Sequence, residues 1–540
     1  MQVKKAFSFI FAFTLIFGLM QFGTQPKAEA AAIGASDFLK TSGTLIKNNY
    51  GNGNVVNLHG TNLGGWLLGE NWMSPLGGTD EWTVRSTLLN RFGAAATDSI
   101  FASYQDTWIQ ASDLDNIKNL GLNMVRVPIY WENLMNRDGS MKADSVSFRK
   151  LDWLVSEAGA RGIYVMLDLH GVPGNMNGWQ SGGRDGANEL WSNTTYQDWT
   201  VQIWQRLANH YKGNPVIAGY DLLNEPVSNN SSLSISQMYD RLYKSVRAID
   251  PDHIIVVEAF GYWNNIVSPS TYGWTNTVYE LHNYDWNDKD YNSQSNSINQ
   301  WFADIASHQQ SWNVPVFAGE FTLFEFNDLW EKYLSGLDAL NVSWTNWTYK
   351  ITGGGNWGLY NNNSNPFPNM NSDSVDTIKS KLSKFATSFH QKNTTLQNIV
   401  KAYAQLSTPS SIKAVANGKY VTAENYGNDP LVANRDSVDA WEKFIMITNA
   451  DGTVSFLSLA NNKYVTADLN QGGKLVARAQ GIAGWEKFRK TTNADGTVSF
   501  QAVANNKYVT CDLNAATPVL VASRDSVGGA WEAFTVTTAP

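Results

Sequence analysis

Cysteine is nearly absent from this chain, which has a single one, Cys511, among 540 residues. No disulfide can form within the chain, so a large buried core must stabilise the fold instead. The seven histidines show no spacing typical of metal ligands, and no second thiol accompanies Cys511. We therefore expect no metal site and no cofactor, and we expect Cys511 to be a small packed residue.

Charged residues are also scarce, because they make up 16% of the chain, and the net charge is −8. Proteins that bind nucleic acid concentrate lysine and arginine in a patch or stripe, and this sequence has no such cluster. Nucleic acid is therefore excluded as a partner. We expect the protein to act as a monomer.

Long apolar runs are confined to the N-terminus. Two lysines precede a mostly apolar stretch at residues 6–22, and Ala-Glu-Ala at residues 28–30 has the pattern of a cleavage site. This order is typical of a secretory signal peptide, so we expect residues 1–30 to be removed and the mature protein to be extracellular. A signal anchor is the alternative. No later apolar stretch approaches the roughly 20 residues of a membrane span, so we expect no membrane contact after cleavage.

Aromatic residues, by contrast, are abundant: the chain has 22 Trp, 22 Tyr and 24 Phe. This number exceeds what a core of this size requires. Flat aromatic faces stack on sugar rings as readily as they fill a core, so the excess favours a carbohydrate ligand.

Residues 51 to about 350 alternate between strand-like and helix-like patterns. Eight short segments are aliphatic or β-branched and mostly continuous, as is typical of strands that are buried on both faces. They are residues 55–60, 124–128, 163–168, 216–223, 253–258, 277–282, 314–318 and 342–348. Amphipathic segments lie between many of them, for example residues 148–161, 196–211, 236–250 and 299–312.

This alternation predicts an α/β fold, a (β/α)8 barrel. A doubly wound open sheet is the alternative, but no Gly-rich phosphate-binding fingerprint follows an early strand. We expect a further helix at residues 374–392 to complete a barrel domain that spans residues 31–403.

A short linker at residues 404–411 and then a threefold repeat follow the predicted barrel. Lys-Tyr-Val-Thr begins at residues 419, 463 and 507, and Trp-Glu-x-Phe begins at residues 441, 485 and 531. Three all-β units are too few for a propeller and predict a β-trefoil at residues 412–540. The two signatures resemble those of fascin-like β-trefoils. We expect this domain to be a carbohydrate-binding module, with a purely structural role as the alternative, and we expect the repeated tryptophans to lie in its core.

Two carboxylates stand at the ends of predicted barrel strands. Glu225 follows the run at residues 216–223, and Glu320 follows the run at residues 314–318. Cleavage of a glycosidic bond by two carboxyl groups requires one protonated and one ionised group on either side of the bond. Strand ends of a barrel can hold two side chains in such positions. The pair therefore predicts a glycoside hydrolase.

Residues 57–350 resemble glycoside hydrolase family 5, and within it the exo-β-1,3-glucanase-like branch. The resemblance rests on six blocks in the same order, at residues 60–67, 125–128, 168–174, 223–226, 282–284 and 319–320. It implies that Glu225 is the acid/base and that Glu320 is the nucleophile of a retaining enzyme.

The resemblance also implies roles for residues around the pair. Arg126 is expected beside Glu320, where its charge keeps the nucleophile ionised, and Tyr284 can donate its hydroxyl to the same carboxylate. Asn224 is expected to direct its amide at the 2-hydroxyl of the sugar, where a hydrogen bond strengthens in the transition state.

Three further residues are expected at the sugar site. His170 and His282, both at strand ends, can bind sugar hydroxyls or orient the carboxylates, and Trp347 matches a tryptophan that forms the floor of the site. Glu258 and Glu280 also lie at or near strand ends. We expect neither of them to be catalytic, and we expect Glu280 to make a buried polar contact.

A loop glutamate and two neighbouring residues bear on the choice of substrate. Glu70 matches a glutamate that binds the non-reducing-end sugar in the exo-glucanase branch. The chain departs from that branch at Trp179 and Gln180, where the family usually has Phe-Asp. The change keeps an aromatic platform and removes a charge that contacts the terminal sugar.

Taken together, these features predict a secreted retaining β-glucanase whose partner is a β-glucan polysaccharide or oligosaccharide, with β-1,3-glucan the first hypothesis. A β-1,6- or β-1,4-glucan, or another substrate of family 5 glycosidases, is the alternative within the enzyme class. A non-catalytic glycan-binding protein is the alternative outside it, and it would require the loss of a paired carboxylate or of Arg126.

Overall fold

The computed structural model describes residues 32–230, 232–260, 263–286, 289–362, 366–404, 410–449, 451–461, 463–479 and 481–539. The predicted signal peptide and residues 405–409 of the predicted linker lie outside the described residues. Within the described part of the chain, no helix has both the length and the apolar character that a bilayer span needs.

Eight parallel strands form a closed barrel, which confirms the predicted (β/α)8 architecture. They are His59–Asn62, Met124–Tyr130, Tyr164–Gly171, Ile217–Asp221, Ile254–Glu258, Thr277–Asn283, Val316–Phe321 and Ser343–Asn346. Every residue of these strands is buried, and for this reason the sequence shows continuous apolar runs where a half-exposed sheet would alternate. The last strand pairs with the first and closes the barrel.

Helices surround the barrel. They are Glu81–Trp108, Ala111–Asn119, Asp144–Ser147, Arg149–Ala160, Thr194–Tyr211, Ile235–Arg247, Tyr291–Trp312, Asn327–Ala339, Val375–Leu382 and Thr394–Ala404. Ile235–Arg247 shows how the sequence determines where such a helix begins. The Ser234 hydroxyl accepts from the backbone N–H of Gln237, and the Gln237 side chain accepts from the backbone N–H of Ser234, which is a capping box.

The helix predicted at residues 374–392 is wrong in its second half. An α-helix ends at Leu382, and two 3-10 turns follow it. Lys350 gives a physical reason, because its fully buried ammonium donates to the Phe385 carbonyl at 3.1 Å and to the Thr387 hydroxyl at 2.9 Å. A carbonyl and a hydroxyl turned toward this ammonium do not suit a continuous helix.

The first barrel strand also differs from its prediction, because it begins at His59 and not at residue 55. Val55 instead forms an antiparallel bridge with Lys47, the last residue of a hairpin made by Lys40–Ser42 and Leu45–Lys47. Part of the apolar run at residues 55–58 therefore belongs to the segment that pairs with this hairpin and not to the barrel strand.

A separate all-β region follows, in three repeats of four strands: residues 410–453, 454–497 and 498–539. The strands are Ser410–Ala414, Tyr420–Thr422, Val432–Arg435 and Phe444–Thr448; Val454–Ser458, Lys463–Asp468, Lys474–Ala479 and Phe488–Thr492; and Val498–Ala502, Tyr508–Asp512, Val519–Arg524 and Phe534–Thr538. Cys511 is buried in the core of this region, as expected, and burial raises the pKa of its thiol to about 11.

The Trp-Glu-x-Phe signature divides between core and surface. The phenylalanine of each copy, such as Phe488, is buried in the core, and the glutamate, such as Glu486, is buried and accepts from Thr466 at 2.8 Å. The tryptophans, such as Trp485, are only half-buried. The expectation that they lie in the core is wrong, because the phenylalanine occupies that place.

The second repeat packs against the barrel domain. Ile447, Leu457 and Tyr464 belong to the same buried apolar cluster as the barrel-domain residue Tyr403. The Tyr464 hydroxyl donates to the Ser335 carbonyl at 3.3 Å. The two domains therefore share an apolar interface.

Because of this interface, the same mutation should lower the free energy of unfolding by different amounts at equivalent positions of two repeats. Tyr464→Ala leaves a cavity in the interface and should lower the free energy of unfolding by about 3–5 kcal/mol. Tyr420→Ala, at a half-exposed site, should cost about 1 kcal/mol. Denaturant unfolding of both variants measures the difference, and equal costs would contradict the packing described.

Candidate active site

Charged and aromatic side chains converge at the carboxyl ends of the barrel strands. In (β/α)8 proteins this end of the barrel is where side chains from several strands meet around one site. Of the residues selected from the sequence, Glu225, Glu320, Asn224, Arg126, His170, His282, Tyr284, Trp347 and Glu70 all lie there in contact with one another or with shared neighbours.

Glu320 lies near the end of the strand Val316–Phe321 and is held by two donors. Arg126 Nη1 donates to one carboxylate oxygen at 2.9 Å, and the Tyr284 hydroxyl donates to the other at 3.0 Å. Burial raises the pKa of Glu320, and the positive charges of His282 and Arg126 oppose that rise. Burial and the charge of Glu320 hold the pKa of Tyr284 well above its ordinary value, so the phenol stays a donor.

Arg126 is fully buried and is surrounded by acids. Its guanidinium lies 3.1 Å from Asp168, 2.8 Å from Asp221, 3.1 Å from Glu280 and 2.9 Å from Glu320. Burial disfavours its charge, but these carboxylates outweigh that effect and raise the pKa of the guanidinium well above its usual value. The arginine is therefore a permanent cation at the centre of the barrel.

Two of these acids, Asp221 and Glu280, also interact with one another. The carboxyl groups of Asp221 and Glu280 are hydrogen-bonded to one another. Burial and the charge of Glu280 raise the pKa of Asp221 well above its ordinary value. Burial also opposes ionisation of Glu280, but Arg126 and His282 outweigh it, so the pKa of Glu280 is lowered. Asp221 is thus the neutral donor and Glu280 the acceptor, as expected of two buried carboxyl groups in contact.

Gly319 is required by this arrangement. A Cβ added at Gly319 would lie 1.5 Å from a carboxylate oxygen of Glu280, which bonds Arg126 and His282. The two residues of the Gly-Glu pair therefore serve different purposes. Gly319 leaves room for the Glu280 carboxylate, and Glu320 faces the site.

Glu225 follows the strand Ile217–Asp221 in an uncommon backbone conformation, with φ of 47°. Its backbone N–H donates to the carboxylate of Glu258, and its side chain accepts from His282 Nδ1 at 2.9 Å. The Glu225 side chain is 13% exposed, against 6% for Glu320. It is therefore the more accessible of the two carboxylates.

His282 stands between the two carboxylates. Burial disfavours its charge, but Glu258 and Glu320 hold the pKa of the imidazole well above its ordinary value. One ligand-type atom from each of Glu225, His282 and Glu320 lies within 4.8 Å of the others, so the three could in principle hold a metal ion. Protonated His282 and the guanidinium of Arg126 disfavour a cation at this place.

Asn224, between Asp221 and Glu225, is fully buried. Its side-chain oxygen accepts from Arg126 Nη2 at 2.9 Å, which fixes the orientation of the amide. Its Nδ2 has no hydrogen-bond partner among the described residues. A buried amide N–H without a partner is costly, so this donor is available for a group that binds in the site.

His170 and Trp347 form one wall. The rings stack with centroids 5.5 Å apart and an angle of 13° between their planes. His170 Nδ1 lies 2.6 Å from a carboxylate oxygen of Asp168, and this contact raises the pKa of His170 although burial lowers it. Asp168 therefore links the histidine to Arg126.

Glu70 also lies at the site and is buried. Burial raises its pKa to about 7, and His170 and a hydrogen bond from Trp72 Nε1 at 2.9 Å limit the rise. Gln180 accepts from the backbone N–H of Asn71 at 3.0 Å and so connects to the Glu70 loop. Trp179, by contrast, is 43% exposed and packs on Phe260 at the rim.

A cluster of aromatic rings that the sequence interpretation missed borders the site. Trp357 lies in its middle, with ring centroids 5.2 Å from Trp72, 6.1 Å from Tyr284 and 5.5 Å from Trp286, on which it stacks. Trp286 is 55% exposed. The rings offer a surface beyond the carboxylates on which further sugar units could stack.

Four acids were also missed as site residues: Asp168, Asp221, Glu258 and Glu280. The expectation that Glu280 makes a buried polar contact is consistent with the structure. Glu258, which we expected not to be catalytic, contacts the backbone of Glu225 and lies 3.5 Å from His282. One acid lies at or near the end of each of four consecutive strands. This regularity in the sequence could have predicted that the four acids belong to the site.

Comparison with known proteins assigns the barrel to a family. Residues 89–353 match the model of the family Cellulase (glycosyl hydrolase family 5). The chain contains a glycosyl hydrolase family 5 domain. The cluster at the carboxyl ends of its strands lies within this domain and is the candidate active site.

Curated relatives are glycosidases as well. A beta-xylosidase from Phanerodontia chrysosporium is 32% identical over 222 residues, which cover 41% of this chain and 46% of the relative. A probable glucan 1,3-beta-glucosidase A from Neosartorya fischeri is 32% identical over 206 residues, 36% of this chain and 48% of the relative. The chain thus spans about half the length of the curated relatives it matches.

Among solved structures, the rutinosidase from Aspergillus niger is 19% identical, with a TM-score of 0.45, over 55% of this chain and 90% of that chain.

The contact between Glu258 and Glu225 predicts a positioning role for Glu258. Glu258→Ala removes the acceptor for the Glu225 N–H and should displace that carboxyl group. Turnover of glycosides with poor leaving groups should fall by about 10- to 100-fold, part of the roughly 10²–10⁴-fold that general acid catalysis contributes. Glu258→Gln keeps an acceptor oxygen, so its turnover of the same glycosides should stay close to that of the parent protein.

The measurement compares kcat for an alkyl glucoside and a dinitrophenyl glucoside. The second substrate needs no proton on its leaving group, so Glu258→Ala should still hydrolyse it. Equal losses on both substrates would mean that Glu258 only stabilises the fold.

Proposed function

We propose that this protein is a secreted retaining β-glucanase that hydrolyses β-1,3-glucan by double displacement. The observation that carries the proposal is that the two carboxylates of the site differ in their hydrogen bonds and in their exposure. Glu320 receives hydrogen bonds from Arg126 and Tyr284, whereas the carboxylate of Glu225 is more exposed and receives a hydrogen bond from His282. This inequality suits one ionised nucleophile and one proton donor.

In the first step, a carboxylate oxygen of Glu320 attacks the anomeric carbon and forms a covalent glycosyl ester. The bond from that carbon to the leaving oxygen breaks, and Glu225 gives its proton to this oxygen. Asn224 Nδ2, the buried donor without a partner, would bind the 2-hydroxyl as the transition state forms.

In the second step, Glu225, now ionised, removes a proton from water, and the water oxygen attacks the anomeric carbon. The ester bond to Glu320 breaks, and both carboxyl groups return to their first protonation states. Arg126 and Tyr284 then stabilise the departing carboxylate of Glu320.

The separation of the two groups supports retention. Oxygen atoms of Glu225 and Glu320 lie within 4.8 Å of one another. Retaining enzymes hold their carboxyl groups about 5–5.5 Å apart, whereas inverting enzymes need about 6.5–9.5 Å to admit a water molecule.

The choice of β-1,3-glucan rests on the relatives named glucan 1,3-beta-glucosidase and on Glu70, which lies at the site and matches the glutamate that binds the non-reducing-end sugar in the exo-glucanase branch. Gln180 in place of an acid weakens one expected contact with the terminal sugar. Both carboxylates and Arg126 are present, which argues against a non-catalytic glycan-binding protein.

The proposal extends to the whole chain. The N-terminal pattern supports export. The three four-stranded repeats around one apolar core support a β-trefoil, which would hold the enzyme on its polysaccharide as a monomer.

Azide rescue tests the two roles. Glu225→Ala should slow the hydrolysis of poor substrates by about 10²–10⁴-fold. Added azide should attack the ester on Glu320 and release β-glucosyl azide. Glu320→Ala should abolish hydrolysis but stay folded, and azide should then give α-glucosyl azide from an activated substrate.

Product anomers are read by nuclear magnetic resonance. Glu132→Gln, which changes a buried carboxylate bonded to Arg137 outside the site, serves as the control and should retain activity. Near-normal turnover by Glu320→Ala would refute the assignment.

A substrate panel tests the linkage. Laminarin should be hydrolysed faster than pustulan or a soluble cellulose derivative, and glucose should be the main product because Glu70 closes the site. Sizing of the products by chromatography measures this. A ladder of oligosaccharides would show endo action, and a preference for pustulan, cellulose or xylosides would replace the proposed substrate.

A further inference from the structure

The three repeats of the all-β domain place different residues beside the same tyrosine. Tyr420 pairs across the strands with Arg435, and Tyr508 pairs with Arg524. In the second repeat the equivalent Tyr464 pairs with Ala479. Two of the three faces therefore share a Tyr-Arg pair that the third lacks.

The face without arginine is the one that contacts the barrel. Leu459, Ala479 and Ile482 pack against the apolar cluster shared with the barrel domain, and Tyr464 is fully buried there. An arginine in place of Ala479 would bring an unpaired charge into this interface, at a high desolvation cost. Burial thus explains the alanine in the second repeat.

The other two faces are open. The side chains of Arg435 and Arg524 are 43% and 52% exposed, and Tyr420 and Tyr508 are half-buried. Val415 and Val527, which correspond in the repeat pattern to Leu459 and Ile482 at the interface, are 40% and 39% exposed. Each open face therefore combines a ring and an aliphatic side chain with a guanidinium.

A tryptophan stands at the same corner of both faces. The Arg524 guanidinium lies 5.8 Å from the centre of the Trp531 ring. Arg435 Nε lies 3.7 Å from the carboxylate of Glu442, the residue after Trp441. Trp441 and Trp531 are half-buried, so part of each indole is accessible.

Several charges on these faces have a partner of opposite charge, and the Lys413 ammonium lies 5.1 Å from the centre of the Tyr420 ring. Lys419 pairs with Asp436, and Lys507 pairs with Asp525. Arg435 also bonds Glu424 at 2.9 Å. Such faces favour a ligand that is polar, uncharged and partly apolar, since fixed hydrogen-bonding groups lie beside aromatic rings. A sugar chain has this chemistry, with hydroxyls at its edges and C–H groups on its faces.

We propose that the first and third repeats each bind a segment of a neutral β-glucan chain, through Tyr420, Arg435 and Trp441 and through Tyr508, Arg524 and Trp531. The second repeat uses the equivalent face to hold the barrel. The choice of β-glucan rests on the proposed function, but the two sites do not depend on hydrolysis. Two sites on one domain increase retention on a polymer by avidity.

The test measures depletion of the full-length protein from solution by insoluble β-1,3-glucan particles, in the Glu320→Gln background to prevent digestion. Arg435→Ala and Arg524→Ala should each weaken binding at least about tenfold, because avidity is lost. The double variant should remain in solution. Arg149→Ala, which removes a similarly exposed arginine paired with Asp106 on the barrel, is the control and should bind like the parent.

Folding is checked by the melting temperature and, with Glu320 intact, by turnover of a small soluble glucoside, which the double variant should leave unchanged. A double variant that binds like its parent would overturn the proposal, as would a parent that the particles do not retain. Retention that depends on both arginines in a protein without hydrolytic activity would refute the proposed function and leave the two binding sites standing.

Discussion

The arrangement of the active site depends on one fully buried cation, the guanidinium of Arg126. A buried arginine cannot lose its proton, so the barrel must surround it with carboxylates. Asp168, Asp221 and Glu280 do so, and Glu320 completes the set at the side that faces the site. The same guanidinium orients the Asn224 amide, whose Nδ2 has no hydrogen-bond partner among the residues that the structure describes. One residue thus positions both the proposed nucleophile and a donor for the sugar.

More acids surround Arg126 than one cation can balance, and the pKa values of two acids near it are raised. Asp221 is neutral because Glu280 is ionised beside it, and burial with the nearby charge of Glu280 also holds the pKa of Glu258 well above its ordinary value. His282 supplies a second positive charge between the two catalytic candidates. The acids that were not expected at the site are therefore its electrostatic support.

The all-β domain shows how a repeated sequence acquires different roles. Each repeat contributes the same phenylalanine and buried glutamate, so the three build one core. Their outer faces differ beside the shared tyrosine. The face against the barrel has Ala479, and the two open faces have Arg435 and Arg524.

The sequence by itself determined the class of fold and the two central carboxylates. Continuous apolar runs mark strands buried on both faces, and a glutamate after two of those runs must lie at one end of a closed barrel. Only the tertiary structure decided the rest. Glu258 contacts Glu225 because neighbouring strands bring them together, and the helix predicted at residues 374–392 stops at Leu382 beside buried Lys350. Local patterns report burial and periodicity, but a contact between distant residues exists only once the chain has closed on itself.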